Sequence, residues 1–340
     1  MGARRKIDRK CLSTRKLSLN PRLSETPKQI RQKSFNSTLP GSVDKRNKSL
    51  SKSSSRLNAS PKDTDNVISI SELLKAHLKV FRVSPIYNFQ RSKLRIYERK
   101  MTELLLAMKY NKENQFCECT FEYRKLVLDK RHDVIQVSVN VSNRKYVGYF
   151  ISSTDNQSDS RTAAMSNFPV LLVKGAGIVV KQVHDTFCKF FDCDIHPVTF
   201  PLKPLITFFS CMSEFYIDEV PNLTSSDVVT LHCRVPGCPP SDTIKINMQL
   251  DAVATTCAAY NEEVVHPNKA LRWYEGILGH LLKTYSCNFS LADLFKIVFP
   301  HFAISSDGLV KFSSEEAVKT ALPKIEGFVI LDYAIRPDVM

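Results

Sequence analysis

Apolar positions change their spacing several times along the chain, and each change predicts an element. In "VISISELLKAHLKVF", Ile70, Leu73, Leu74, Leu78 and Phe81 recur at helical spacing, which predicts a first helix. Pro85 in "VSPIYNF" stops it and holds Ser84 extended. A second helix, about Ser92 to Tyr110, puts Leu94, Tyr97, Met101, Leu104, Leu105 and Met108 on one face. From Cys117 the period becomes two. Cys117, Cys119, Phe121 and Tyr123 alternate with polar residues, then Ile135, Val137, Val139 and Val141 do the same, and "KYVGYFIS" adds a third strand. Half-polar alternation marks antiparallel sheet with one wet face.

Further on, "PVLLVKGAGIVVKQVHDTF" reads as a buried strand (Val170–Val173), Gly175-x-Gly177, and a helix with Val179, Val180, Val183 and Phe187 inward. "CDIHPVTF" and a helix around Pro204–Tyr216 follow. Two alternating strands come next, with Val229, Leu231, Cys233 and Val235, then Ile244, Ile246, Met248 and Leu250, inward. "NKALRWYEGILGHLLKTY" predicts an amphipathic helix with Leu271, Ile277, Leu278, Leu281 and Leu282 inward. "LFKIVF" and "LVKFS" flank Asp307-Gly308, a hairpin signal. A short helix from Ser314 then leads to a last strand, "GFVILDYAI". The order predicts an α+β fold with mixed, largely antiparallel curved sheets and packed helices. The expected organisation is a tail (1–66), an N-terminal subdomain (67–200) and a C-terminal subdomain (201–340) ending in a partner-pairing strand.

Charge separates the tail from the rest. Residues 1–66 hold 17 Lys+Arg against 5 Asp+Glu, and residues 67–340 hold 31 against 29. The tail is rich in Ser, Lys and Arg, with Phe35 its only aromatic residue, so disorder is expected. Its run Arg4, Arg5, Lys6, Arg9 and Lys10 suits nuclear import or a phosphate-binding arm. Thr26 and Ser60 precede prolines, and Ser18, Ser24 and Ser34 follow arginines by two or three residues, which makes all five phosphorylation candidates. No pair among the ten cysteines has C-x-x-C spacing, so free thiols in a reducing compartment are expected. No apolar run has the length of a membrane span, and an intracellular, soluble protein is expected.

Gly175-Ala176-Gly177 after a strand has the layout of a dinucleotide turn, and Asp194 stands where a ribose would want an acid. A nucleotide-binding enzyme built on that turn is therefore the alternative reading. Against it, Val180 occupies the third glycine position and no regular βαβ alternation surrounds the motif. His184 and Asp185 are helix neighbours that point apart, and His266, His280 and His301 occur singly. Glu262-Glu263 and Glu315-Glu316 suit helix surfaces or first turns. The reading is no enzyme, no metal, no cofactor and no small-molecule substrate. Binding features are better supported. Lys296 and Lys311 lie opposite the apolar faces of their strands (Phe295, Ile297 and Phe299; Val310 and Phe312). With Arg144 and Lys145 in a turn, they are expected to line a phosphate-facing groove. The terminal segment Phe328–Ile335 reads as a core or partner-pairing strand.

Several stretches, in order, resemble the centromere protein L family: "VFRVSPIYNFQRSKLRIYERKMTELL", "VHDTFCKFFDCDIHPVTF", "LHCRVPG" and "LFKIVFPHFAISSDGLVKF". The resemblance spans roughly Leu73 to Ile335 and omits the tail. It implies a non-enzymatic inner-kinetochore scaffold in the nucleus, at the centromere, working with other kinetochore subunits. It also implies a heterodimer with a centromere protein N subunit, joined through C-terminal sheets, with Phe328, Ile330, Tyr333 and Ile335 as contacts. Finally, it implies centromeric nucleosome or linker DNA held through its phosphates, with Lys296 and Lys311 in the hairpin positions that face it. Leu309 stands where a further basic residue would strengthen that groove.

Overall fold

The computed structural model describes residues 67–107, 117–128, 131–141, 143–152, 165–219, 227–239, 241–261, 269–286 and 288–335. Met1–Ser60 and Pro61–Met340 are separate units, and the elements below belong to the second. The fold is α+β, as the order of periods predicts. After a 3-10 turn, Ile70–Glu72, the chain enters β1 (His77–Val83) rather than the predicted helix. Lys75 at φ 59 breaks any helix. Leu78 and Val80 face one side of the sheet and Phe81 and Val83 contribute to a separate core, all buried. A strand buried on both faces mimics helical spacing, and tertiary burial decides between the two.

The remaining N-terminal elements follow the predicted order, with two short strands, Ile86–Tyr87 and Met165–Ser166, that the periodicity does not predict. They are β2 (Ile86–Tyr87), α1 (Leu94–Ala107), β3 (Cys117–Val127), β4 (Arg131–Val141), β5 (Arg144–Ile151), β6 (Met165–Ser166), β7 (Val170–Gly175), α2 (Gly177–Phe191) and β8 (Ile195–Pro197). On α1, Tyr97 and Met101 are buried as predicted, whereas Leu104 is exposed; Met108 and Tyr110 lie outside the described residues.

The C-terminal part holds α3 (Leu202–Glu219), β9 (Val228–Arg234), β10 (Thr243–Gln249), α4 (Leu250–Asn261), α5 (Lys269–Tyr285), β11 (Asp293–Val298), β12 (Phe302–Ser305), β13 (Leu309–Phe312) and α6 (Glu315–Ile335). Three expectations need correction here. Asp307-Gly308 joins β12 to β13, so "LFKIVF" is separated from "LVKFS" by a further strand. On α5 the buried stripe is Trp273, Tyr274, Ile277 and Leu281, while Leu271 and Leu282 are exposed, because the two large aromatic rings bury more area than the leucines.

Phe328–Ile335 is no strand; it continues α6 without interruption from Glu315. Ala317, Val318, Ala321, Leu322, Ile325 and Val329 are buried at helical spacing. Pro323 and Gly327 lie on the exposed side of α6, where they do not interrupt that stripe.

One 11-stranded sheet runs β10-β9-β11-β12-β13-β1-β7-β5-β4-β3, with β8 also paired to β1. Every pairing between its named strands is antiparallel. Two cores lie on opposite faces. One is built by Phe81, Leu171, Val173, Phe150, Val137 and Phe121 under α1 and α2. The other joins Leu78, Val80, Leu172 and Tyr149 to β9–β13 and to α3, α4, α5 and α6. Helices α1 and α2 therefore cover one face only as far as β1. Beyond it, on β13, β12, β11, β9 and β10, that face carries no helix among the described residues.

Candidate nucleic-acid interface

Register fixes which side chains share this uncovered half-face. Lys296 pairs with Ser305, Ala303 pairs with Lys311, and Ala303 and Ser305 are two residues apart on β12. All four therefore point to the same side. Extending the pairings, His232 lies between Lys245 and Lys296 on three adjacent strands. His77 pairs with Lys311, and Lys79 pairs with Leu309. Opposite them, Leu231, Cys233, Ile246, Ile297, Ile304 and Val310 are buried beneath the C-terminal helices. The sheet thus presents Lys79, Lys311, Lys296 and Lys245 along one concerted surface, with strands about 4.8 Å apart. Among the described residues, none of these four lysines is ion-paired.

A β-bulge lies between Leu294 and Lys296 on β11. It corrects the expectation that Phe295 shares the buried face with Ile297. Phe295 sits on the open side, its ring 4.1 Å from the Arg234 guanidinium carbon and its centroid 5.9 Å from that of His232. A cation–π contact holds the Arg234 guanidinium over the ring. Asp293 pairs in register with Arg234 and puts one carboxylate at this end of the surface. Partial burial, and then the ammonium groups of Lys296 and Lys245, hold the His232 imidazole below its ordinary pKa of 6.5. Sensitivity to both lysines is the electrostatic counterpart of the register.

The surface and the residues expected on it differ in part. Arg144 and Lys145 do not join the row. They begin β5, three strands from β13 across β1 and β7. Strand alternation also sends them to opposite faces, Arg144 with buried Tyr146 and Lys145 with Val147. Lys245, His232, Arg234, Lys79 and His77 were missed. The alternation of β9 and β10 carries the signal for the first two, since His232 and Lys245 occupy polar positions between inward apolar ones.

The glycine turn has a structural use. β7 lies antiparallel between β1 and β5, unlike the parallel strand of a dinucleotide fold. A Cβ on Gly175 would come within 3.3 Å of the Lys145 carbonyl oxygen and of Val180 Cγ2, so this glycine lets β5 and α2 pack closely. Asp194 follows the far end of α2, about 22 Å of helix away from the turn. There it is engaged by Ser84, whose hydroxyl accepts the Asp194 N–H at 2.8 Å. His184 is buried on α2, 3.2 Å from the Tyr146 hydroxyl and edge-on to Phe81, while Asp185 is exposed. Among the described residues no cluster of His, Cys, Asp or Glu could hold a metal ion. The eight described cysteines are free thiols.

The two edges of the sheet differ. Along β3, the Phe121 N–H donates to Glu98 Oε1 at 2.9 Å and the Cys119 N–H to Thr102 Oγ1 at 3.2 Å, both from α1. The Lys125 carbonyl accepts from the Ile68 N–H at 2.8 Å. Side chains and the incoming chain thus satisfy that edge. Along β10, no hydrogen bond from outside the sheet reaches the backbone among the described residues, and Ile244 and Lys245 are exposed. Such an edge is a template for another strand.

Phe328 is half-buried against Phe200, with ring centroids 5.2 Å apart, and Ile330 is exposed on α6. Tyr333 and Ile335 lie in the last turn of the same helix. As helical residues the four cannot pair with a partner strand, so that route to a heterodimer is withdrawn. Thr26, Ser60, Ser18, Ser24 and Ser34 lie outside the described residues, as do Glu262, Glu263 and His266.

A protein-family model described as centromere protein L matches residues 72–328. No curated protein sequence matches the chain.

Proposed function

The chain belongs to the centromere protein L family, and from that premise we propose that it is a non-enzymatic scaffold of the inner kinetochore. The family makes it a centromere and kinetochore protein of the nucleus. In the proposed role, the open half-face lies against DNA phosphates, and β10 pairs with a strand of a centromere protein N subunit. The observation that carries the reading is the conjunction of a lysine row without ion pairs and a sheet edge without cover, both among the described residues and on the same end of the sheet. Lysines spaced by strand register suit sequence-independent phosphate contact, because ammonium groups on flexible stems read charge rather than base edges. The β10 edge takes over the partner role from the terminal segment, since it ends the sheet and no α1-like helix satisfies it among the described residues.

Co-expression with a centromere protein N partner, followed by hydrogen exchange on the purified pair, tests the assembly. The reading expects the amides of Thr243–Gln249 to gain protection in the pair, while those of β3 stay as they are in the free chain. Protection confined to α6, or no complex at all, contradicts it.

A further inference from the structure

Helices α3 and α6 leave a groove of about 540 Å³ between them, on the helical side of the molecule and away from the basic half-face. Its floor is Phe208 and Phe328, both packed on Phe200 at centroid distances of 5.5 and 5.2 Å. Pro201, Pro204 and Pro323 form part of its rim, none with an N–H to offer. Along α6 the lining residues Lys324, Gly327, Phe328 and Leu331 recur at i, i+3, i+4 and i+7. Leu331 is 63% exposed, as expected of a surface that lacks its cover.

Charge identifies what fits. Among the described residues, two cations, Lys203 and Lys324, line the groove, and no carboxylate does. Lys324 lies close to Cys211: burial raises that thiol's pKa, and the lysine partly offsets the rise. Lys203 stands two turns before Cys211 on α3, about 12 Å of helix rise, so the two lysines stem from opposite ends of the groove. The chain's own residues 1–66, with 17 Lys+Arg against 5 Asp+Glu, carry the wrong sign to be the occupant.

We infer that the α3–α6 groove is a docking site for an amphipathic helical segment of another protein, with apolar anchors three or four residues apart lying between acidic residues. Leucine-like anchors would cover Phe208 and Phe328, and a carboxylate near each end would meet Lys203 and Lys324. Gly327 leaves room for the backbone of such a segment, because a Cβ there would meet nothing within 4 Å. This inference stands apart from the DNA and partner-strand reading and shares no residue with it.

The test selects full-length protein against a random phage-displayed peptide library about 14 residues wide, roughly four helical turns. Enriched peptides should share two apolar residues at i and i+3 or i+4 between Asp or Glu. Gly327→Leu fills the groove with a better helix former and should leave the melting temperature unchanged or higher. It should weaken a synthetic enriched peptide about tenfold or more. Lys203→Glu with Lys324→Glu should turn the selected flanks basic, while DNA binding stays as in the unmodified chain. Enrichment of peptides without acidic flanks, or peptide affinity indifferent to both variants, overturns the proposal. So does a dimer in sedimentation that Gly327→Leu abolishes, which would assign the groove to a second copy.

Discussion

Lys296 and Lys311 stand on one face of the sheet, two strands apart, because each faces a residue of β12: Ser305 for the first and Ala303 for the second. Between them, Ser305 is buried, its hydroxyl donating to the Asp307 carboxylate, so one acid stands beside the row at the turn. Lys245 extends the row beyond His232, and Lys79 extends it on β1 up to the point where α2 begins to cover the sheet at Phe81. A continuous cationic strip results from antiparallel register alone, without any loop to position it.

His232 sits in the middle of that strip with a pKa below 6.5, lowered by partial burial and by Lys296 and Lys245. It is neutral near pH 7, and an approaching phosphate favours its charged form. DNA binding therefore takes up a proton, and affinity rises as pH falls below about 6.5. Fluorescence anisotropy between about pH 7.5 and 5.5 reads this. His232→Gln should flatten the dependence; an equal slope in the variant would remove His232 from the interface.

His184 makes the opposite kind of pH dependence, on stability. Burial, opposed weakly by Asp185, lowers its pKa from 6.5 to about 4. The unfolded chain binds a proton that the folded chain refuses. Stability is thus complete above about pH 6.5 and declines as pH falls towards 4, by about 3 kcal/mol in all. Urea midpoints across that range should fall with a slope that His184→Gln reduces. An unchanged slope would assign the acid sensitivity to other groups.

Gly308 closes the β12–β13 turn at φ +83, and a Cβ there would run into the Val198 carbonyl oxygen. Its own carbonyl accepts from the Val80 N–H at 2.9 Å, which ties the hairpin to β1. Gly308→Ala should cost about 2–3 kcal/mol, from left-handed strain plus displacement of Val198. A denaturation midpoint within error of the parent would contradict this account of the turn.

Much of this was legible in the alternation of the strands. Positions such as Phe121, Val137 and Leu231 show their inward role by period two, and Asp307-Gly308 marks its turn. The exceptions have physical causes. In His77–Val83, Leu78 and Val80 are buried on one face and Phe81 and Val83 on the other, so its apolar residues lose the alternation that identifies a strand. Phe328–Ile335 is rich in aromatic and β-branched residues that favour strands, yet it is the last third of a helix whose inward stripe begins at Ala317. The bulge at Phe295 changes the direction of one ring, and no local pattern announces it. At the interface, Lys296 and Lys311 were readable from their own strands. Lys245 and Lys79 join them only through pairings between distant parts of the chain, β9 with β11 and β1 with β13, which local pattern does not specify.

Glu98 protects the β3 edge by accepting the Phe121 N–H at 2.9 Å. Glu98→Ala leaves that donor without its charged acceptor, and about 1–2 kcal/mol of stability should be lost. The freed edge should also promote self-association at high concentration. Chemical denaturation and sedimentation equilibrium measure the two effects; a stable monomer would mean that water serves the edge as well as Glu98 does.

The most direct test of the central claim is the salt dependence of duplex DNA binding by the full chain and by Lys296→Glu/Lys311→Glu. If both lysines contact phosphates, the double variant binds more weakly to every sequence. Its slope of log K against log salt becomes shallower by about 1.8, that is, by about 0.9 for each lost phosphate contact. The same slope and affinity as the parent would show that the open half-face is not where DNA binds.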